Sequence, residues 1–407
     1  MAEKKVIAVI FGGRSVEHDV SILTGLQFLE ALDPTLYAGL PVYVDPLGQW
    51  WTGDRLRGRG NYPLAGENGD AETLTQLHLD LATGASGRPR LVADRKTLIG
   101  LKREPIEFDL MVPAIHGPNG EDGTLQGLLD FAGIPYAGCR ILGAAATMDK
   151  AFTKNAAAAL GLPVLPGLTL KRPAGGGFLD QATLETALSD RFGTVAFPFV
   201  VKPRHLGSSV GVGKADTMDD LIAAVMTAFR FDAEVLVEPC VTPLVEYNIA
   251  VRRTRDGTYV ASAIERPKSE AELLDFSNKY RAGGTGGAKQ AGGSEGMASL
   301  NRTLNPGELG EERSELIRTS ATRIAEHFSL AGSVRVDFLC NGHTGEIWLN
   351  EVNTIPGSFA YFLWEAAEEP LSFLNLTQHM IKEGFALSAA RLGNTDAAAG
   401  GATLFGG

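Results

Sequence analysis

The sequence predicts an α/β protein whose N-terminal part is a doubly wound unit built on a parallel sheet. Three stretches carry that prediction. Val6–Phe11 is an apolar run that breaks at Gly12-Gly13 into a segment with Val20, Leu23 and Leu26 at helical spacing. Strand, glycine turn and helix in that order open a doubly wound sheet, with a site at the carboxyl end of the strand. Leu110–Ile115 is a second apolar run, followed by a glycine-rich loop and a helical segment, Thr124–Ala132. Ser333–Gly357 alternates with period two on both sides of Asn341-Gly342, which reads as a hairpin.

The 407 residues suffice for two or three domains, and 44% hydrophobic with 21% charged residues is an ordinary globular balance. A net charge of -11 and a pI near 5.2 argue against a nucleic-acid partner. Local basic residues must then meet any phosphate. Cys139, Cys240 and Cys340 stand far apart with no CxxC, which speaks against a disulfide framework or a zinc site and fits a reducing cytosol. Met1–Lys5 is polar and the apolar run after it is short, so it reads as a first strand rather than a leader. No apolar run reaches the roughly 18 residues of a membrane span.

Taken in order, Glu17 and His18 fall in the first turn after Gly12-Gly13. Glu17 suits the positive end of a helix dipole as well as it suits a ligand. Residues 45–105 are turn-rich and weakly periodic, with Trp50-Trp51 read as packing. His116–Gly123 packs three glycines, a histidine and two acids into a tight polar loop. His116 there is either a turn histidine or a functional one. Ile134–Tyr136 reads as a short strand, and Thr147–Lys150 opens a helix with Thr147 or Asp149 as N-cap. A domain boundary falls near this point.

Phe197–Pro203 is a strand leading into Arg204–Lys214, where glycines and serines present backbone N–H groups to an anion. It is not a Walker loop: five residues separate Gly207 from Gly213, and Ala215 follows Lys214. A flap over nucleotide phosphates, with Lys202 on the first strand, and a plain tight hairpin both suit it. The GxGxxG pattern is missing as well, so no nicotinamide cofactor is expected. Thr217–Phe229 reads as an amphipathic helix and Val235–Glu238 as a strand ended by Pro239. Ala282–Ser299 holds seven glycines and is a mobile lid or a disordered insertion. Glu311–Leu330 is a long helix with Leu316, Ile317, Ile324 and Phe328 as its stripe, and the chain from about Asn394 reads as frayed.

The hairpin carries the most chemistry. Side chains two apart on a strand share a face. Arg335 thus goes with Asp337, and Glu351 with Asn353, and pairing in register puts all four on one side. The same alternation sets Ile347 and Leu349 on the face of Glu351, and Trp348 and Asn350 on the face of Val352. Two carboxylates and an amide oxygen suit magnesium, which keeps substrate phosphates in its shell. An arginine beside them could hold a phosphoryl group or an oxyanion. The plainer alternative is a solvated strand face.

These stretches together resemble the D-alanine–D-alanine ligases. His116–Gly127, HGPNGEDGTLQG, looks like the family's signature, and Gly12–Ser21, GGRSVEHDVS, is similar to its N-terminal motif. Thr147–Lys150, Lys202–Gly211, Lys279-Tyr280 and Arg335–Gly357 resemble the later motifs in the right order. The likeness runs from about residue 6 to about 365. It implies the ATP-grasp fold, with ATP between the second and third of three α/β domains. On that reading the domains are 1–146 (substrate-binding), 147–240 (central) and 241–393 (catalytic, with a lid at 277–305), followed by a flexible tail at 394–407.

The resemblance also implies roles. Glu17 would orient the first substrate's ammonium through a hydrogen-bonded set with Ser208 and the lid tyrosine Tyr280. His116 would lie near that substrate's carboxylate, and Lys279 and Ser358 would also bind substrate. Lys150 and Lys202 would hold ATP phosphates, Glu238 would be an adenine-side acid and Glu246 a ribose-binding acid, and Ser209 and Val241 would also bind ATP. Asp337, Glu351 and Asn353 would ligate magnesium, with manganese able to stand in, and Arg335 and the Gly357 N–H would be oxyanion donors. The implied reaction is ATP-dependent joining of two D-alanines for peptidoglycan precursors, in the cytoplasm, by a homodimer. A D-serine or D-lactate acceptor is the alternative. Two features depart from the family: the long glycine-rich stretch Ala282–Ser299, and the run Ser358–Trp364 where a serine-leucine pair usually holds the second substrate's carboxylate.

Overall fold

The computed structural model describes residues 3–62, 74–82, 86–97, 100–176, 180–207, 209–267 and 302–399. Ser208, Lys279, Tyr280 and the lid up to residue 301 lie outside the described residues. The chain divides into two units. One holds residues 1–141, 331–333 and 372–407, the other residues 142–330 and 334–371.

The first unit is built on β1 (Lys5–Gly12), which pairs in parallel with β2 (Tyr37–Val44) and with β7 (Leu110–Pro113). Ile7–Phe11 are fully buried. Burial on both faces is why this strand is a continuous apolar run rather than an alternating one. Helix α1 (His18–Glu30) buries Val20, Ile22, Leu26 and Phe28. Gly25 lets it approach the sheet, since a Cβ there would stand 2.6 Å from Phe11.

Beyond β2 the sheet differs from expectation. Residues 45–105 supply β3 (Trp50–Thr52), β4 (Thr75–Asp80), β5 (Arg90–Thr97) and β6 (Gly100–Glu107). They extend the sheet antiparallel in the order β6-β5-β4-β3-β2-β1-β7. Cross-strand polar pairs help tie them, Arg90 to Asp80 at 2.5 Å and His78 to Asp94 at 2.8 Å. Ile134–Tyr136 makes only an isolated bridge, Met111 to Tyr136. The helix Phe373–Ala399 belongs to this unit and hydrogen-bonds back to it through Thr377 and Gln378. It carries helical backbone through 394–399, where a tail had been expected.

The second unit holds two antiparallel sheets. The first, in the order β10-β9-β11-β8, comprises β8 (Leu168–Lys171), β9 (Phe199–Pro203), β10 (Gly213–Ala215) and β11 (Glu234–Pro239). Leu184, Leu188, Leu221 and Val225 pack against it. They come from α5 (Gln181–Phe192) and α6 (Met218–Ala228), which follow α2 (Thr124–Phe131), α3 (Ile141–Met148) and α4 (Lys150–Ala159) in the chain. A capping box of Thr217 and Asp220 starts α6. The second sheet runs β14-β13-β12-β15-β16. Its strands are β12 (Leu244–Arg253), β13 (Tyr259–Pro267), β14 (Arg302–Leu304), β15 (Val334–Asn341) and β16 (Ile347–Asn353).

Candidate active site

In the first unit, the carboxyl ends of β1 and β7 bring the motif residues together. Gly12 and Gly13 have φ of +90° and +97°, and a Cβ on Gly12 would lie 2.3 Å from the Val44 carbonyl. Only glycine takes that turn without strain. Ser21 fastens the two strand ends: its hydroxyl accepts from Gly12 N at 2.7 Å and donates to Ala114 O at 2.7 Å. Glu17 is the N-cap residue of α1, yet its side chain does not cap the helix. The carboxylate instead lies against the Gly117 backbone, where an added Cβ would stand 2.5 Å from Oε2. His116 is buried beside Thr24 Oγ1, at 2.9 Å. The acids of its loop hold the loop itself: Glu121 accepts from Gly117 N, and Asp122 from Asn119 N and Thr124 N. His18 is structural, bonded to Gly13 O and Tyr43 OH.

In the second unit, α4 and the loop after β9 are locked together. Asp149, not Thr147, caps α4, accepting from Phe152 N. Thr147 spends its hydroxyl on Gly143 O inside α3. Asp149 also takes both arms of Arg204, at 2.7 and 2.6 Å. Burial alone would raise its pKa, but His205, Arg204 and the cap outweigh it and hold the carboxyl well below its usual range. Lys150 reaches the same loop, donating to Leu206 O at 2.6 Å, and lies 3.4 Å from Glu351. Ser209 and Gly211 turn the loop with φ of +56° and +75°.

Lys202 projects from β9 to Asn350 Oδ1 at 2.8 Å and to Glu238 Oε2 at 2.6 Å. Glu238 is 1% exposed, and its other oxygen is taken by Lys154. Burial pushes the Lys154 ammonium down to about 8, against the pull of Glu238. Burial also opposes charge on Lys202, yet Glu238, Glu351 and Glu246 outweigh it and raise its pKa. Lys154 and Asn350 were missed in the sequence. Lys154 was legible in principle, since it stands one helical turn after Lys150. Glu246 is partly exposed on β12, and Val241 sits in the link from β11 to β12 beside the cis Thr242-Pro243 bond.

The hairpin pairs in the expected register, Arg335 opposite Asn353 and Asp337 opposite Glu351. A bulge follows, because Phe338 pairs with Leu349 and leaves Asn350 without an opposite residue. The bulge shifts the alternation. Val352 joins Ile347 and Leu349 in the core, while Asn350 turns to Lys202. This corrects the faces read from period two alone. Arg335 donates to both oxygens of Asp337, at 2.6 and 2.7 Å, and Asn353 adds a bond at 2.9 Å.

Asp337, Glu351 and the Asn353 amide oxygen fit a hard cation. With Asn353 Nδ2 engaged on Asp337, its oxygen is the remaining ligand atom. Among the described residues no group of three or more His, Cys, Asp or Glu forms a metal cage. Two carboxylates and an amide match a cation that completes its shell with substrate oxygens and water. After Gly357, Ser358, Phe359 and Ala360 all take φ near +52° in buried backbone. The aromatic run is core: Phe362 lies under the Arg302 guanidinium at 3.7 Å, and Trp364 is buried beside Arg252. An open cavity of about 1020 Å³, lined by Glu311, Glu315, Leu316 and Trp348 among others, contains none of these groups.

The chain is similar to known proteins over most of its length. The D-ala D-ala ligase N-terminus family matches residues 6–139 and the D-ala D-ala ligase C-terminus family matches residues 156–382. A D-alanine--D-alanine ligase of Bradyrhizobium sp. is 33% identical over 370 residues, covering 89% of this chain and 91% of that protein. The D-alanine-D-alanine ligase of Coxiella burnetii superposes with a TM-score of 0.72 at 25% identity, covering 97% of this chain and 99% of that one. A D-Ala:D-Ser ligase of Enterococcus faecalis does so at 0.68 and 25%, covering 94% and 100%. The chain therefore belongs to the D-ala D-ala ligase family and has its ATP-grasp fold.

Proposed function

We propose that the protein joins two D-alanines to D-alanyl-D-alanine, using ATP and forming ADP through an acyl phosphate, to supply peptidoglycan precursors. The observation that carries this reading is the cross-strand set Arg335, Asp337, Glu351 and Asn353 with Lys150 and Lys202 beside it, in a chain of this family. Lys150 and Lys202 offset phosphate charge. Asp337, Glu351 and Asn353 would hold magnesium or manganese, which supplies charge neutralisation on the phosphates when bound. The carboxylate of the first D-alanine attacks the γ-phosphorus and displaces ADP, and the neutral amine of the second attacks the resulting acyl carbonyl, expelling inorganic phosphate and losing a proton as the peptide bond forms. Asp337 fixes the guanidinium of Arg335, which stabilises the oxyanion together with the Gly357 N–H. Glu17 and His116 serve the amino-acid substrate, and Ser358 the acceptor. The roles of Ser208, Lys279 and Tyr280 rest on the motif match alone.

Among the described residues no helix is long and apolar enough to cross a membrane. We assign the activity to the cytoplasm, where ATP is made, and infer a homodimer as in the resemblance. ADP release is measured with magnesium, ATP and D-alanine, then with D-alanine paired with D-serine or D-lactate. Dipeptide from D-alanine alone is the expected result. Turnover only with a mixed pair moves the protein to another ligase, and no turnover overturns the reading. Arg335→Ala is expected to lower kcat by roughly 10²–10³, the loss that follows removal of one oxyanion donor. Near-normal turnover in that variant removes Arg335 from the mechanism.

A further inference from the structure

Three buried lysines, Lys150, Lys154 and Lys202, meet in the second unit, each less than a tenth exposed. Lys150 and Lys154 stand one turn apart on α4 and so share a face. Lys202 arrives from β9. Glu238 lies between two of them, with Oε1 on Lys154 and Oε2 on Lys202. Two ammonium groups therefore share one carboxylate, and Lys154, Lys202 and Glu238 together carry a net charge of +1.

The arrangement is costly as mere filling. A buried ion pair is often no more stable than apolar residues of the same volume, and a third buried charge adds a further desolvation penalty. What it changes is the state of Lys202. A lone Lys202–Glu238 pair would be neutral and would meet a phosphate only as a dipole. With Lys154 drawing on the same carboxylate, part of the Lys202 charge is left uncancelled. Asn350 fixes the direction of that charge without neutralising it, because an amide oxygen carries no net charge.

We propose that Lys154 is a positioning residue for nucleotide phosphate: it shares Glu238 with Lys202 and so leaves part of the Lys202 charge uncancelled toward ATP without touching ATP itself. This rests on the ATP reading above. Burial pushes Lys154 down to about 8, which still leaves it mostly protonated at neutral pH. No motif of the sequence singled it out.

The test compares the full-length protein with Lys154→Met, Glu238→Gln and the double variant, titrated with ATP, ADP and adenosine in magnesium buffer. Lys154→Met is expected to weaken ATP and ADP about tenfold and adenosine less than about twofold. KM for ATP should rise with the binding loss, while kcat at saturating ATP falls less than about threefold. The double variant frees Lys202 from its carboxylate, so the ratio of ATP to adenosine affinity, which discounts any contact of Glu238 with the base, should return to within about threefold of the unsubstituted ratio, a non-additivity that only coupled groups give. A purely structural role predicts the opposite: adenosine weakened as much as ATP, and a double variant no better than Lys154→Met. Either result overturns the proposal. If Lys154→Met does not fold, Glu238→Gln decides, since the ratio of ATP to adenosine affinity must then equal or exceed the unsubstituted ratio. Failure of the unsubstituted protein to bind ATP is a separate outcome, and it overturns the proposal together with the reading beneath it.

Discussion

Asp149 shows how one residue can set a glycine-rich loop. Its side chain caps α4, receives both arms of Arg204 and lies 3.6 Å from His205 Nε2. His205 Nδ1 stands 3.0 Å from Asp232. Between these carboxylates, Asp149 first and Asp232 second, the imidazole pKa is raised to about 9 against the opposing effect of burial. The folded value lies above the ordinary value near 6.5, so the stabilisation it brings is complete below about pH 6.5 and is lost as pH rises through about 9. Denaturant melts at pH 6, 7.5 and 9.5 should show a decline in stability that His205→Gln lacks. An identical slope in both proteins removes His205 from the account. The side chain is 44% exposed, so solvent screening keeps the effect small.

At the scale of elements, the turn after β16 is the most unusual piece of backbone among the described residues. Ser358, Phe359 and Ala360 are consecutive left-handed residues that carry Cβ atoms. Each such position costs an L-residue roughly 1–2 kcal/mol, and strain of this kind is kept where a site needs it. Ala360→Gly should therefore stabilise the fold by up to about 1 kcal/mol, once the added freedom of the unfolded chain is subtracted. The same change inside a right-handed helix costs about 0.5–1 kcal/mol. Destabilisation on that scale in a thermal melt would contradict the strain. What the sequence disclosed divides along similar lines. Register was legible, because Arg335, Asp337, Glu351 and Asn353 share one periodicity and one turn. The bulge at Asn350 was not, because an unpaired residue leaves no mark in the alternation. Strands β3 to β6 were hidden for a different reason: β3 is three residues long, and β6 is mostly exposed and polar. The motif loops were legible because glycines and acids at fixed spacing do local work, as Glu121 and Asp122 do. The spacing of Lys154 from Lys150 was legible, but its pairing was not, because its partner Glu238 lies 84 residues away.

The whole molecule carries a net charge of -11, and its proposed nucleotide is an anion. At long range the two repel, so attraction must be local. The three lysines that supply it are each less than a tenth exposed, and buried charges are screened little by salt while exposed ones are screened beyond a Debye length of about 8 Å. A phosphate site built on a basic surface would lose association rate steeply as salt rises. Here screening removes repulsion instead. In stopped-flow binding of magnesium ATP, raising sodium chloride from about 50 to about 300 mM should leave the association rate unchanged or raise it, and should weaken affinity less than about threefold. A fall in association rate of about tenfold would mean that exposed cations capture the nucleotide, and the phosphate contacts would then have to be sought away from Lys150 and Lys202.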